Sequence, residues 1–341
     1  MSMPPSREIH LAARPQGAPQ PTDFALVETE VPEPAEGQVL IRNAFVSVDP
    51  YMRGRMNDTK SAAWSRASYV PPFELGEVMT GAAVGQIVTS RNDGFEEGAW
   101  VVHHLGWREL ALSNGKGLVL FDAASGSVST SLGVLGMPGL TAYVGLLDVG
   151  RVEAGETVFV SGAAGAVGSA VGQIAKLKGC RVIGSAGSAA KVAWLREIGF
   201  DEAFDYHDVV AGEALSDGID VYFDNVGGPM LEAALAALRV RGRVVACGAI
   251  SQYNATEWPA GPGNLFLVVT KRLRMEGFIV SDHGGRLPAF LAEVGPWVRD
   301  GAVRYRETVV EGIEHAPAAL IGLLAGENIG KMLVRVGPGN T

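Results

Sequence analysis

The run Ser161-Gly162-Ala163-Ala164-Gly165-Ala166-Val167-Gly168 has the clearest chemical use in this chain. It follows the apolar stretch 157–160 and opens a segment with helical periodicity. Glycines at a strand-to-helix turn let the backbone approach a pyrophosphate, and the unpaired N–H groups and positive dipole end of the helix attract it. A glycine-rich turn alone is a weak signal; the strand before it and the helix after it give it weight. Folds that bind NAD place an acid about 20 residues further on, at the end of the next strand. Here residues 182–190 hold no Asp or Glu, and Gly184-Ser185-Ala186-Gly187-Ser188 leads to Lys191. An open loop with hydroxyls and a cation suits a ribose 2′-phosphate and so NADP. The lesser alternative is that Lys191 is merely a solvated helix residue.

The elements that would position these residues fall into two patterns. Residues 24–31, 38–48, 82–89 and 99–103 are short β-branched runs punctuated by Gly, Pro and Asp-Gly, which predicts a barrel-like β domain. From about Glu156, apolar strands alternate with helical segments, the βαβ signature of a parallel, doubly wound sheet. Strands are expected at 157–160, 181–184, 219–223, 243–247 and 274–280. One helix would bury Val167, Ala170, Val171, Ile174 and Leu177. A second covers 189–198 and stops at Gly199. Beyond about Arg304 come a strand-like run, a helix over 315–325 and a strand over 331–336, read as a return to the first domain. The expected division is 1–127, 128–305 and 306–341.

Composition removes several function classes. A length of 341 residues suits two domains, and 47% apolar residues can fill their cores. The net charge of −9 disfavours a nucleic-acid partner. The longest uncharged run, 123–147, carries six Ser/Thr residues and Pro138, so no membrane span is expected. Residues 1–14 lack the apolar core of a signal peptide. Two cysteines, Cys180 and Cys247, make no disulfide framework and fit a reducing cytoplasm.

Several longer motifs join the glycine turn: Val48-Asp49-Pro50-Tyr51-Met52-Arg53, Gly136-Met137-Pro138-Gly139-Leu140-Thr141-Ala142-Tyr143, Phe223-Asp224-Asn225-Val226-Gly227-Gly228 and Cys247-Gly248-Ala249-Ile250-Ser251-Gln252-Tyr253. Together they resemble, nearly end to end, the prostaglandin reductase and leukotriene dehydrogenase branch of the zinc-free medium-chain dehydrogenases/reductases, which includes curcumin and alkenal double-bond reductases. The resemblance implies an α/β protein with a GroES-like β-rich catalytic domain and a Rossmann domain. It also implies a homodimer and NADPH-dependent reduction of the C=C bond of an enone or enal. Carried over residue by residue, it puts Gly165, Ala166, Val167 and Gly168 at the pyrophosphate, and Ser188, Lys191 and Tyr206 at the 2′-phosphate. It places Asn225, Cys247, Gly248, Ile250, Ser251, Tyr253, Phe278, Ile279, Val280 and Asn328 along the adenosine and nicotinamide halves, with Met137 near the nicotinamide. Met137 and Phe278 have an equal reading as core residues; for Asn225 the closure of its Gly-Gly turn is the lesser alternative.

Zinc dehydrogenases of this superfamily carry a Cys ligand, a Gly-His-Glu segment and a four-cysteine lobe. This chain has Ser47 or Asp49 at the Cys position, Gly76-Glu77 without the His, and two distant cysteines. The neighbours His103 and His104 would point to opposite faces of a strand, so no metal is expected. Hydride addition to the β-carbon of an enone leaves an enolate, which then needs a neutral donor. Tyr253 and Tyr51 are the candidates, since a phenol stays protonated near pH 7. Tyr253 could instead hold a ribose, and Tyr51 could be pocket wall. A quinone reductase and a non-catalytic NADPH-binding protein are the rival functions. The pocket would draw on loops 57–70 and 254–262, with Trp64, Tyr69 and Trp258 as a possible aromatic wall.

Overall fold

In the computed structural model, which describes residues 5–57, 69–123 and 126–337, the chain divides into two units. One comprises Met1–Gly133 with Glu307–Thr341, the other Val134–Arg306.

The first unit starts with β1 (Ser6–Leu11), paired antiparallel with β2 (Phe24–Thr29). The long β3 (Val39–Ser47) is buried at every position except Arg42. A one-turn helix α1 (Met52–Arg55) follows, then β4 (Ala83–Ser90), β5 (Trp100–His103), β6 (Leu110–Ser113) and β7 (Val119–Phe121). Apolar residues on both faces of β3 account for its central place. It pairs with β4 on one side and touches β6 at its first residues.

The second unit opens with α2 (Met137–Val144), which runs into a π-turn at Gly145–Val149. Next come β8 (Thr157–Val160), α3 (Ala166–Leu177), β9 (Arg181–Ala186), α4 (Ala189–Glu197) and β10 (Glu202–Asp205). After these lie α5 (Ala211–Ala214), β11 (Ile219–Asp224), α6 (Gly228–Ala237), β12 (Leu238–Ala246), α7 (Leu267–Thr270), β13 (Arg274–Gly277) and α8 (Leu287–Arg299). The strands are parallel in the order β10-β9-β8-β11-β12-β13. That is the doubly wound order, with its reversal between β8 and β11. Phe159, Ile183, Phe204, Tyr222, Leu235 and Leu238 share one buried cluster. Gly199, at φ 92°, takes the left-handed conformation that ends α4.

The chain then returns to the first unit with β14 (Glu307–Glu311), α9 (Ala316–Leu324) and β15 (Lys331–Arg335). β15 lies between β14 and β3, completing the order β14-β15-β3-β4-β5-β7. Val46, Met52, Trp107, Leu320 and Met332 fill the core beneath it.

Some expectations need correction. Leu177 is 43% exposed, because it is the last residue of α3 and has turned off the buried face. β13 stops at Gly277, where its partner β12 also ends, so Phe278, Ile279 and Val280 lie beyond the strand. Trp64 and most of loop 57–70 lie outside the described residues.

Candidate coenzyme and reduction site

The glycine-rich turn occupies the C-terminal end of β8, beside the reversal point, where ligands of such sheets gather. Gly165 is the extended N-cap of α3, so Ala166, Val167 and Gly168 form its first turn, with N–H groups that have no helical partner. Gly162 sits at φ 58°. A Cβ on Gly168 would come within 2.6 Å of the Gly162 carbonyl oxygen and 2.7 Å of the Ala163 Cα, so helix and turn touch backbone to backbone.

At the end of β9 the acid-free loop meets the end of β10. Ser188 caps α4 by accepting from the Lys191 N–H at 3.4 Å. Lys191 stands one turn along, its ammonium pKa lowered by burial and partly restored by Asp205. The Tyr206 hydroxyl would be 2.8 Å from a Cβ on Gly187, and the ring itself is exposed. Ser185 does not join this group. It is 1% exposed and its Oγ has no hydrogen-bond partner among the described residues, because its place within β9 turns it inward.

Past β11 and β12, two loops are laced together. Asn225 Nδ2 donates to the Ser161 carbonyl at 2.8 Å, tying its loop to the glycine turn. Cys247 N–H and Gly248 N–H donate to the Asp224 carbonyl at 2.9 and 3.0 Å, Ile250 N–H to that of Asn225, and Ser251 Oγ to that of Val226 at 2.6 Å. Tyr253 Oη accepts from the Ala249 N–H at 3.4 Å, and burial raises its phenol pKa. Burial, and then the Asp224 carboxylate, push the Cys247 thiol up to about 12, so it is a neutral thiol at pH 7. Phe278, Ile279 and Val280 follow β13, and a Cβ on Gly145 would meet the Phe278 and Phe223 rings at 2.7 Å. Met137 begins α2, and its carbonyl accepts from Thr141 Oγ1.

Tyr51 and Asn328 belong to the first unit. Tyr51 precedes α1; its phenol is raised by burial and by Asp49, and it hydrogen-bonds with Arg55. The Arg55 guanidinium donates to the Pro71 and Thr80 carbonyls and lies 3.9 Å from the centre of the Phe73 ring. Asn328 Nδ2 donates to the Gly330 carbonyl. Sequence reading missed one feature of this unit, a buried ion pair. Lys331, 4% exposed, places its Nζ 3.2 Å from Asp49, which also accepts from Ser47 Oγ at 2.5 Å. A charged residue at the head of an apolar strand was the available signal. His103 is buried against Asn43 at 2.8 Å, its pKa lowered to about 3 chiefly by burial, while His104 is exposed beyond the end of β5.

The doubly wound sheet and its glycine turn define a dinucleotide-binding fold. The family described as "N-terminal domain of oxidoreductase" matches residues 7–121, and that described as "Zinc-binding dehydrogenase" matches residues 166–294. An NADPH-dependent curcumin reductase of Escherichia coli (strain K12) is 46% identical, over 97% of both chains. A 2-alkenal reductase (NADP(+)-dependent) of Nicotiana tabacum is 44% identical over 94% of both. The crystal structure of CurA in complex with NADPH from Vibrio vulnificus superposes with a TM-score of 0.90 at 44% identity, covering 97% of this chain and 99% of that one. The chain belongs to the medium-chain dehydrogenase/reductase family, in the branch of the curcumin, prostaglandin and 2-alkenal reductases, with a GroES-like domain and a Rossmann domain.

The residues present fit NADP. The first turn of α3 supplies N–H donors, and Gly187, Ser188, Lys191 and Tyr206 come together with no acid on β9. They do not fit the zinc of the family description: among the described residues no three His, Cys, Asp or Glu side chains could share an ion. No helix among them is long and apolar enough to cross a membrane.

Proposed function

We propose that this protein reduces the C=C bond of α,β-unsaturated ketones or aldehydes with NADPH. The observation that carries the reading is the full-length likeness to the curcumin and alkenal reductases, joined to an acid-free β9 end with Lys191 and Tyr206 beside it. Bound there, NADPH supplies a hydride to the β-carbon. The first turn of α3, with Gly165 to Gly168, holds the pyrophosphate. Ser188, Lys191 and Tyr206 take the 2′-phosphate. Asn225, Cys247, Gly248, Ile250 and Ser251, with Phe278, Ile279, Val280, Met137 and Asn328, shape the rest of the coenzyme cleft. Tyr253 stays protonated because burial disfavours its phenolate, so it can donate to the substrate oxygen or protonate the α-carbon. Tyr51, held by Arg55, is the second donor.

The protein works in the cytoplasm as a homodimer. In support, β13 is a sheet edge flanked by exposed Val240, Phe266, Val269 and Met275, a combination that favours burial against another copy. A panel of enals, enones and diphenyl enones with NADPH, followed by loss of absorbance in the nicotinamide band, tests the activity. Turnover of quinones with oxygen uptake and none of enones would point to a quinone reductase. Tight NADPH binding without any turnover would point to a binding protein.

A further inference from the structure

The carboxyl of Asp224 ends β11 and is 3% exposed. Its surroundings have a one-sided geometry. A single oxygen, Oδ1, accepts the Tyr222 hydroxyl at 2.7 Å, the Gly227 N–H at 2.8 Å, the Val226 N–H at 2.9 Å and the Ser161 hydroxyl at 3.3 Å. Tyr222 Oη also lies 2.9 Å from Ser161 Oγ, and the serine hydroxyl accepts the Asn225 N–H at 3.1 Å. Ser161 begins the glycine-rich turn. Gly227 and Gly228 sit at φ 70° and 56°, so the 225–228 loop turns through a conformation that needs its backbone donors held. A buried carboxylate accepting several donors is strong because each bond is charge-assisted, and costly to disturb because the donors are left unpaired. The second loop, 247–253, rests on the first through the carbonyls of Asp224, Asn225 and Val226, and it carries Tyr253.

We propose that Asp224 is a positioning residue. Its Oδ1 fixes the 225–228 loop against the glycine turn, and through that loop it fixes the height of Tyr253 above the coenzyme. This rests on the reading of the cleft as an NADPH site.

The test measures NADPH Kd by fluorescence, thermal unfolding without coenzyme, and kcat at saturating NADPH, all on the full chain. The variants are Asp224→Ala, Asp224→Asn and Tyr222→Phe. Asp224→Asn keeps an acceptor and should raise Kd about 5- to 10-fold, while Asp224→Ala should raise it roughly 10- to 150-fold, the range for hydrogen bonds to a charged group. Tyr222→Phe keeps its stack on Phe159, at 5.1 Å between ring centres, and should raise Kd by a few-fold, about the effect of one hydrogen bond. It carries the test if Asp224→Ala does not fold. In the Asp224→Asn background, Tyr253→Phe should cost less in kcat than in wild type, since both act on one proton donor. Lower unfolding temperatures with wild-type Kd and kcat would overturn the proposal, as would effects of Asp224→Asn and Tyr253→Phe that simply multiply. Wild type that binds NADPH but reduces no enone overturns the proposed activity and leaves the Kd comparison standing. Wild type that does not bind NADPH overturns both.

Discussion

Lys191 and Tyr253 are the side chains on which the proposed chemistry turns. Lys191 stands one turn into α4, half-buried, with Asp205 near it. Lys191→Ala should weaken NADPH by about 10- to 150-fold, the worth of a hydrogen bond to a charged group, and leave NADH almost unchanged. The kcat/KM for both coenzymes, in wild type and variant, measures this; an equal loss for both would make Lys191 a support of the fold. For Tyr253, replacement by Phe should lower turnover by roughly 10²- to 10⁴-fold if the phenol protonates the enolate. A change limited to the NADPH Michaelis constant would leave it a coenzyme contact. A phenol donates only below its pKa, and burial raises that of Tyr253. The wild-type kcat at saturating NADPH should therefore not fall as pH passes about 10, where an unperturbed tyrosine ionises. Ser185 shows the limit of reading donors from sequence. Its hydroxyl is a donor by type, but strand geometry turns it into the core.

At the scale of elements, the strands and helix around the glycine turn were legible and their frame was less so. β8, α3 and β9 could be read because β-branched strands flank a glycine turn and the helix has one apolar face. β10, Glu202–Asp205, went unread: it has four residues, charges at both ends and no β-branched residue. α2 begins Met137-Pro138-Gly139 and α8 contains Pro296, so neither has a helix-forming composition. Tertiary packing makes them helices: Gly139 lies against the Val134 carbonyl and the Phe290 ring, and no larger residue would fit. Tyr253 could be placed just beyond a strand and Tyr51 only within its motif, and their hydrogen-bond partners, Ala249 and Arg55, depend on folded geometry. The join between turn and helix gives a sharp prediction. Gly168→Ala forces a methyl onto the Gly162 and Ala163 backbone, which cannot swing aside as a side chain can. It should cost about 1–3 kcal/mol of stability, as overpacking does, and weaken NADPH binding. Thermal unfolding and coenzyme fluorescence read both. Wild-type values for each would show that the turn yields.

For the whole molecule, two expectations concern what it assembles with. Phe266 and Val269, 72% and 67% exposed beside the edge strand, should become buried in a dimer. Phe266→Asp with Val269→Asp should then halve the mass seen by sedimentation, and an unchanged mass would place the dimer contact elsewhere or remove it. Activity should survive treatment with a chelator; stoichiometric zinc whose removal abolishes turnover would contradict that. The route of the chain has a further result. Val134–Arg306 is one continuous run, whereas the other unit needs both ends, with Ser47 of β3 paired to Leu333 of β15. On the ribosome, the nucleotide-binding half is finished and free to fold while β3 still lacks a neighbour and Asp49 lacks Lys331. Contacts so far apart in sequence close slowly. Pulse-labelled hydrogen exchange during refolding should find amides of β8, β9 and β11 protected before those of β3. Until β15 emerges, β3 would leave an apolar edge unpaired, the kind of surface that chaperones cover.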